Sequence, residues 1–301
     1  MNRLVFLLGL MVGGAVWCCA PVATAQGNHV PMATDRTVDE PELLKAAAAL
    51  RDAKALLTIE RVQSQLGRQT CVLKLPKPET KALTGRQIWE RARRAYVRVG
   101  WFYLCRKCND WHLDLAGGFY LTTDGVVATA HHVAQPTKDM REGYLVVVEG
   151  GRILPVTEVL AGNDSGDTCL LRTRGAMQVR PLPLNTNVYP GDAAWCYSDP
   201  LDHASYFSAG VVNRFLVTTN HGQRLTRIDV STDWAPGSSG SAVLDECGNA
   251  IGLVSEIEVE TGPLETDDRR RRRGRREEPL ITLHHAARAA EILALIKPGA
   301  E

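Results

Sequence analysis

Residues 235–241 (Ala-Pro-Gly-Ser-Ser-Gly-Ser) combine a hydroxyl nucleophile with glycines that permit a tight backbone turn. In such a turn Ser239 offers its hydroxyl to a carbonyl group. The backbone N–H groups of Gly237 and Ser239 then point at the oxygen on which negative charge develops. Acyl transfer by serine needs both a nucleophile and such an oxyanion hole. Because Gly/Ser runs also form plain turns, the segment predicts catalysis only together with a base and an orienting acid.

A histidine and an aspartate in suitable contexts lie upstream of this turn. His132 follows an apolar strand-like run, residues 126–130, and Asp167 directly precedes another, residues 168–171. In serine hydrolysis the histidine takes the proton of the hydroxyl, while the aspartate holds the imidazole in the required tautomer and stabilises the imidazolium. We therefore predict a catalytic triad of His132, Asp167 and Ser239.

Neighbouring residues compete for each of these roles. His131 precedes the preferred base, Asp164 lies near Asp167, and Ser238 and Ser241 flank the preferred nucleophile. Asp167 is preferred over Asp164 because only Asp167 abuts an apolar strand that would hold it rigid. The two competing serines are expected to form hydrogen bonds within the turn.

The three segments resemble those of the trypsin-like, chymotrypsin-fold serine endopeptidases, particularly the exported bacterial HtrA-type branch. Residues 129–133 (Thr-Ala-His-His-Val) match the family pattern Thr-Ala-x-His-Val, which gives the base role to His132. Residues 167–171 (Asp-Thr-Cys-Leu-Leu) look like Asp-x-Ala-x-Leu, and residues 237–241 look like Gly-x-Ser-Gly-Gly/Ser. The likeness covers roughly residues 96–260 and implies an endopeptidase without a cofactor. A PDZ domain is not expected, because few residues follow the matched region.

The resemblance also implies where a substrate binds. In this family the segment before the nucleophile walls the primary pocket, and Asp233 stands where trypsin carries the aspartate that binds basic residues. Residues 231–237 look more like a shortened HtrA-type segment whose aspartate is structural, so the structural role is favoured and the pocket role stays open. The strand of residues 252–256 is expected to pair with the substrate backbone, at Gly252, Leu253, Val254 and Ser255.

Short apolar runs between turn residues must position these groups. They predict strands over residues 96–104, 118–122, 126–129, 144–148, 154–160, 168–172, 193–197, 210–215, 227–230, 242–244, 250–256 and 281–283. Without alternation of strands and helices, this pattern predicts an all-β fold. The family resemblance specifies a double six-stranded, chymotrypsin-like β-barrel.

Helical periodicity appears only outside this β-rich region. Residues 41–66 are predicted to form one helix that stops at Gly67, and Thr84 is expected to cap a second helix over residues 85–94. A C-terminal helix is predicted over about residues 286–296. The predicted barrels are thus flanked by an α-helical N-terminal extension and a C-terminal helix.

The N-terminus is typical of a secretory signal peptide. Arg3 precedes an apolar run over residues 4–17, and small residues at 23–25 precede a predicted cleavage site before Gln26. We therefore divide the chain into a signal peptide (1–25), a helical N-terminal extension or propeptide (26–83) and a trypsin-like protease domain (84–301). The protein is expected to be secreted or periplasmic.

Export would place the six remaining cysteines in an oxidising compartment, where up to three disulfides are possible. Cys169 and Cys196 lie in apolar runs that suit buried free thiols equally well. Cys105 and Cys108 are predicted to form a tight disulfide. Zinc is the alternative there, although only His112 offers a third local ligand. The other two cysteines are Cys71 and Cys247.

The charge balance of 35 basic and 34 acidic side chains gives no reason to expect a nucleic-acid partner. Seven arginines between Arg269 and Arg276 predict a solvated loop, with docking of an anionic partner as the alternative.

The predicted function is an exported serine endopeptidase acting on protein or peptide substrates. One alternative is a catalytically inactive protease-fold protein that binds partners through the basic loop and the N-terminal helix. An esterase is disfavoured because the strand–turn–helix context of α/β-hydrolases is lacking. The oligomeric state stays open.

Overall fold

Strands dominate the part of the chain that the computed structural model describes, which is residues 40–177, 179–220, 222–263 and 277–298 with Met32, Ala33 and Asp35. The predicted signal peptide and residues 269–276 lie outside the described residues. The helices are α1 (Glu40–Asp52), α2 (Ile59–Leu66), α3 (Gly85–Ala95), α4 (His131–Ala134) and α5 (Ala289–Ala294). None of these helices is long and apolar enough to cross a membrane.

The strands follow one another along the chain in two groups, separated by the connection between β8 and β9. The first group, with its N-terminal additions, is β1 (Leu57–Thr58), β2 (Cys71–Leu73), β3 (Tyr96–Cys105), β4 (Trp111–Tyr120), β5 (Val126–Thr129), β6 (Met140–Glu149), β7 (Arg152–Asn163) and β8 (Thr168–Thr173). The second is β9 (Ala193–Ser198), β10 (Tyr206–Asn220), β11 (Gln223–Val230), β12 (Ala242–Leu244), β13 (Ala250–Pro263), β14 (Glu277–Arg288) and β15 (Ile296–Pro298).

Each group builds one six-stranded ring of antiparallel strands. The first ring runs β6-β3-β4-β5-β8-β7 and closes where β7 pairs with β6, with Val146 opposite Pro155. The second is the closed barrel β10-β11-β14-β13-β12-β9. Buried aliphatic residues such as Val147 and Ile228 fill the two interiors. The predicted all-β, double-barrel fold with a C-terminal helix is therefore confirmed.

The single helix predicted over residues 41–66 is wrong. Lys54 adopts a left-handed backbone conformation (φ 55°), which ends α1, and Leu57 extends to pair with Leu145 of β6 as a seventh strand beside the first ring. The side chains of Leu43 and Ala47 on α1 are buried in a cluster with barrel residues. The extension therefore packs on the first ring and adds a strand to it.

The helix beginning at Gly85 does form as predicted. The Thr84 hydroxyl accepts a hydrogen bond from the backbone N–H of Gln87, and the Gln87 side chain accepts one from the backbone N–H of Thr84. This reciprocal capping satisfies two N–H groups that the first turn leaves free.

The C-terminal helix is shorter than the predicted 286–296. Residues up to Arg288 remain in β14, because Ala286 and Ala287 pair with β11 on one side and β13 on the other and so complete the second barrel. Only Ala289–Ala294 is helical. The chain then enters β15, which pairs in parallel with β2 of the N-terminal extension.

Candidate active site

His132 and Asp167 are brought together by two elements of the first ring. His132 lies in α4, directly after β5, and Asp167 directly precedes β8, the strand that pairs with β5. His132 Nδ1 lies 3.0 Å from both carboxylate oxygens of Asp167, and the backbone N–H of His132 donates to Oδ1 at 3.1 Å. The carbonyl of Val133 accepts a bond of 3.0 Å from the indole N–H of Trp101, which ties α4 to β3. The Asp167 carboxylate thus holds the imidazole of His132, while Asp167 and Trp101 hold the backbone of α4.

The second ring also holds the Asp167 carboxylate. The hydroxyl of Ser255, on β13, donates to Asp167 Oδ2 at 2.5 Å. Asp167 has a left-handed backbone (φ 52°), and the carbonyl of Ser165 in the same loop accepts a bond of 3.0 Å from the buried guanidinium of Arg227 on β11. Contacts across the two rings therefore set the position of the acid.

The pairing shifts both pKa values. Burial disfavours the imidazolium of His132, but the hydrogen bond and charge of Asp167 outweigh it, so the pKa of His132 is raised above the ordinary histidine value. Burial acts to raise the pKa of Asp167, yet the hydrogen bonds and charge of His132, with the bond from Ser255, outweigh it and lower that pKa. At neutral pH Asp167 is therefore an anion, and its charge stabilises the protonated form of His132 relative to the neutral form.

The turn at residues 235–241 has the backbone geometry that its glycines suggest. Gly237 and Gly240 both have positive φ, 98° and 84°. The N–H groups of Ser238, Gly240 and Ser241 donate to backbone carbonyls at 2.8–3.0 Å. Those of Gly237 and Ser239 have no acceptor among the described residues. Within residues 237–241, the two amides expected to hold an oxyanion are thus the two that donate to no described residue.

The turn at residues 235–241, in the second ring, rests directly on the first ring. The N–H of Gly117, on β4, donates to the carbonyl of Ser239 at 2.7 Å, and the carbonyl of Gly117 accepts from the Thr129 hydroxyl at 2.7 Å. A Cβ on Gly240 would come within 2.3 Å of Thr129 Oγ1 and 2.9 Å of the backbone nitrogen of Ala130. Ser239 is therefore held against the segment that leads into His132. The sequence offered no signal for Gly117.

The competing residues have different surroundings. His131 is buried, with Nδ1 3.2 Å from Asp164, and burial lowers its pKa. The Ser238 hydroxyl donates to that of Ser198, and the Ser241 hydroxyl is buried without a hydrogen-bond partner among the described residues. Ser239 is only half-buried, and its hydroxyl is free of hydrogen bonds to described residues.

The expected substrate-pairing strand has its free edge later than predicted. Gly252 and Leu253 pair with β12 on one side and with β14 on the other. The N–H and carbonyl of Val254 are bonded to Ser241 and Gly240 respectively. Gly252, Leu253 and Val254 therefore have no free backbone edge. From Ser255 onward no described strand pairs with β13 on the side away from β14, and the Glu256 carbonyl accepts a hydrogen bond of 3.4 Å from the indole N–H of Trp234.

Asp233 lies before the nucleophile turn with an exposed side chain. Its backbone carbonyl accepts a hydrogen bond from the Ser208 hydroxyl at 2.9 Å, but its carboxylate has no hydrogen bond or ion pair with any described residue. The next residue, Trp234, is buried and packs edge-on against His284, with ring centroids 4.9 Å apart. Burial lowers the pKa of His284, and the charge of Asp233 partly offsets that effect, so the structural role and the pocket role of Asp233 both stay predictions.

The six cysteines of the described residues are all free thiols. The predicted disulfide between Cys105 and Cys108 is not formed, and Cys108 Sγ instead lies 3.0 Å from Nε2 of His112. Cys169 and Cys196 are fully buried, and burial raises the pKa of both thiols. These two fit the expectation of inert core thiols.

Comparison with known proteins found one family model that agrees with the fold. Residues 116–253 match a family model described as a trypsin-like peptidase domain. The match begins on β4 and ends on β13, so it includes His132, Asp167 and Ser239. No curated protein matches the chain. Together with the closed six-stranded barrel, the match supports a chymotrypsin-fold serine protease with a protein or peptide substrate.

Proposed function

We propose that this chain is an exported serine endopeptidase that hydrolyses peptide bonds through an acyl-enzyme intermediate. Ser239 attacks the scissile carbonyl, His132 takes the proton of its hydroxyl and later gives a proton to the leaving amine, and Asp167 orients and stabilises the imidazolium. The observation that carries the proposal is the hydrogen bond between His132 Nδ1 and the buried carboxylate of Asp167. That bond leaves Nε2 as the nitrogen that can serve a nucleophile.

The N–H groups of Gly237 and Ser239 are the proposed oxyanion hole. They need no reorganisation to accept a developing charge, because the hydrogen bonds of the neighbouring N–H groups already hold the backbone of the turn in place. Each such donor contributes about 3–4 kcal/mol to transition-state stabilisation in comparable sites. The Gly117 bond to the Ser239 carbonyl supports this geometry by fixing the peptide that follows Ser239.

Labelling with a fluorophosphonate probe tests the assignment directly. We expect the wild-type chain to be labelled once and the Ser239→Ala variant not at all. Ser241→Ala is the matched control, since it removes a hydroxyl from the same turn that has no hydrogen-bond partner among described residues. Labelling that persists in Ser239→Ala would assign the nucleophile elsewhere. An unlabelled, folded wild-type chain would favour the inactive partner-binding protein.

We further propose that substrate backbone pairs with β13 from Ser255 onward and that Asp233 selects a basic side chain at the cleaved bond. The free carboxylate of Asp233 supports this, because a buried ammonium or guanidinium needs an anionic partner. Peptides with Arg or Lys before the cleaved bond should therefore react much faster than matched peptides with Leu, and Asp233→Asn should abolish the difference. Equal rates on both peptides in the wild-type chain would remove Asp233 from the pocket.

Export rests on the N-terminal sequence pattern alone. N-terminal sequencing of the chain recovered from outside the cytoplasm is expected to begin at Gln26. Recovery of the whole chain from the cytoplasm, with Met1 retained, would contradict export while leaving the catalytic proposal intact.

A further inference from the structure

The turn between β3 and β4 gathers three side chains that bind metals. Cys105 is the last residue of β3, Cys108 lies within the turn and His112 is the second residue of β4. The two sulfurs and a ring nitrogen of His112 all lie within 4.8 Å of one another. Neither the proposed peptidase chemistry nor the family match uses this cluster.

The spacing of the donor atoms suits a tetrahedral ion. Bonds of about 2.3 Å to sulfur and about 2.0–2.1 Å to nitrogen place the ligand atoms of a zinc site roughly 3.3–3.8 Å apart. Cys108 Sγ and His112 Nε2 are 3.0 Å apart, and the whole group spans at most 4.8 Å. Side-chain movements of up to about 1 Å therefore bring all three atoms to ligand distance.

The backbone of the turn favours a thiolate at Cys105. The N–H of Lys107 donates a hydrogen bond to Cys105 Sγ at 3.4 Å. A backbone N–H that donates to sulfur stabilises the deprotonated form of the thiol. The thiolate is the form that binds metal.

Hydrogen bonds hold the turn in this shape without any ion. The N–H of Cys105 donates to the Asp110 carbonyl at 2.9 Å, and the N–H of Asn109 donates to the Cys105 carbonyl at 3.2 Å. Asn109 has a left-handed backbone (φ 61°), which an asparagine tolerates better than most residues. Arg106 anchors the turn to the start of β6 through the carbonyl of Asp139 at 2.8 Å. The ligands are thus preorganised.

We propose that Cys105, Cys108 and His112 bind one zinc ion, with water in the fourth position. Water is assigned because the described residues place no further histidine, cysteine or carboxylate in the cluster, and Cys108 is exposed. His112 and Gly117 both lie on β4, five residues or about 16 Å apart along the strand. The ion therefore braces one end of the β3–β4 hairpin whose other end supports Ser239, and acts on stability rather than on the acyl-transfer step.

Metal titration of the whole chain, purified under reducing conditions, tests this site. We expect one zinc per chain by elemental analysis. Cobalt(II) should give thiolate-to-metal charge transfer and the intense visible bands of tetrahedral coordination, and zinc should raise the melting temperature. Cys108→Ser and His112→Asn should each weaken affinity at least about 100-fold, since even outer-shell partners are worth 10–100-fold. Cys247→Ser, which removes a partly buried thiol elsewhere, is the matched control and should bind like wild type.

Several results would overturn the proposal. One is a wild-type chain with free thiols that binds neither zinc nor cobalt stoichiometrically. Another is affinity that survives both ligand substitutions. A third is a Cys105–Cys108 disulfide, seen as the loss of two hydrogens by mass spectrometry, in protein kept anaerobic with zinc. Treating the wild-type chain with a chelator compares the metal-bound and metal-free protein without any substitution. The test therefore does not depend on whether the variants fold.

Discussion

Gly117→Ala tests whether the contact between the two rings positions the nucleophile. A Cβ at this position would lie 2.0 Å from Ser241 Oγ and 2.9 Å from the Ser241 backbone nitrogen. Rotating the Ser241 hydroxyl relieves the first clash, but the second involves backbone. Strand β4 and the turn must therefore separate, which stretches the 2.7 Å hydrogen bond from Gly117 N–H to the Ser239 carbonyl.

The size of the effect follows from that displacement. Non-bonded atoms at this distance need about 0.5 Å more room, and a misplacement of about 1 Å costs roughly 100-fold in rate. We expect kcat/KM to fall by about tenfold to 100-fold. Forcing a methyl group into a packed contact should also lower the free energy of unfolding by about 1–3 kcal/mol.

Hydrolysis of a fluorogenic peptide, measured well below the melting temperature of each variant, separates rate from stability. Gly67→Ala is the control, because a Cβ there meets nothing within 4 Å and its φ of −78° suits alanine. Adding Ser241→Ala to Gly117→Ala should restore only part of the rate, since the backbone clash persists. If Gly117→Ala keeps its kcat/KM within about twofold of Gly67→Ala, the contact does not position Ser239.

Four further outcomes are expected. Because the base must be unprotonated, kcat/KM should rise with pH around the raised pKa of His132, with a midpoint above the ordinary value of about 6.5. Asp167→Asn should lower both that midpoint and kcat, the latter by about 10⁴-fold, and a wild-type midpoint below the ordinary value would refute the pairing. Ser255→Ala removes the donor to Asp167 and should reduce kcat/KM about tenfold to 100-fold, with most of the loss in kcat. Arg51→Ala removes a guanidinium 4.5 Å above the Trp111 ring and should lower the free energy of unfolding by about 0.5–1 kcal/mol with kcat unchanged, so lost activity in the folded variant would contradict a purely stabilising role.

Local sequence pattern predicted most of the strands that carry the candidate site. β5 and β12 begin and end where the apolar runs do, because both are short, fully buried and bounded by polar or turn residues. The second half of β14 and the end of the chain were harder to predict. Ala286 and Ala287 suit a helix equally well, and only pairing with two neighbouring strands keeps them extended.

The sequence pattern did not predict the role of residues that contact distant parts of the chain. Ser255 was expected to bind substrate, yet its hydroxyl bonds to Asp167, 88 residues earlier in the chain. Gly117 and Arg227 gave no signal either, since their partners, Ser239 and Ser165, are distant in sequence and come close only when the barrels assemble. Residue types indicated the chemistry, whereas the supporting contacts depend on the fold.

The Gly117–Ser239 contact makes the candidate site a property of two barrels rather than of either one. The proposed base and acid lie next to strands of the first ring, which ends at Thr173, and the proposed nucleophile lies between strands of the second ring, which begins at Ala193. A chain cut in the connection between them would give two fragments, each holding an incomplete set of reacting groups. Peptide hydrolysis by a mixture of the two fragments would then show that they had reassociated. If each fragment were fused to one of two proteins that bind each other, peptide cleavage would report that binding.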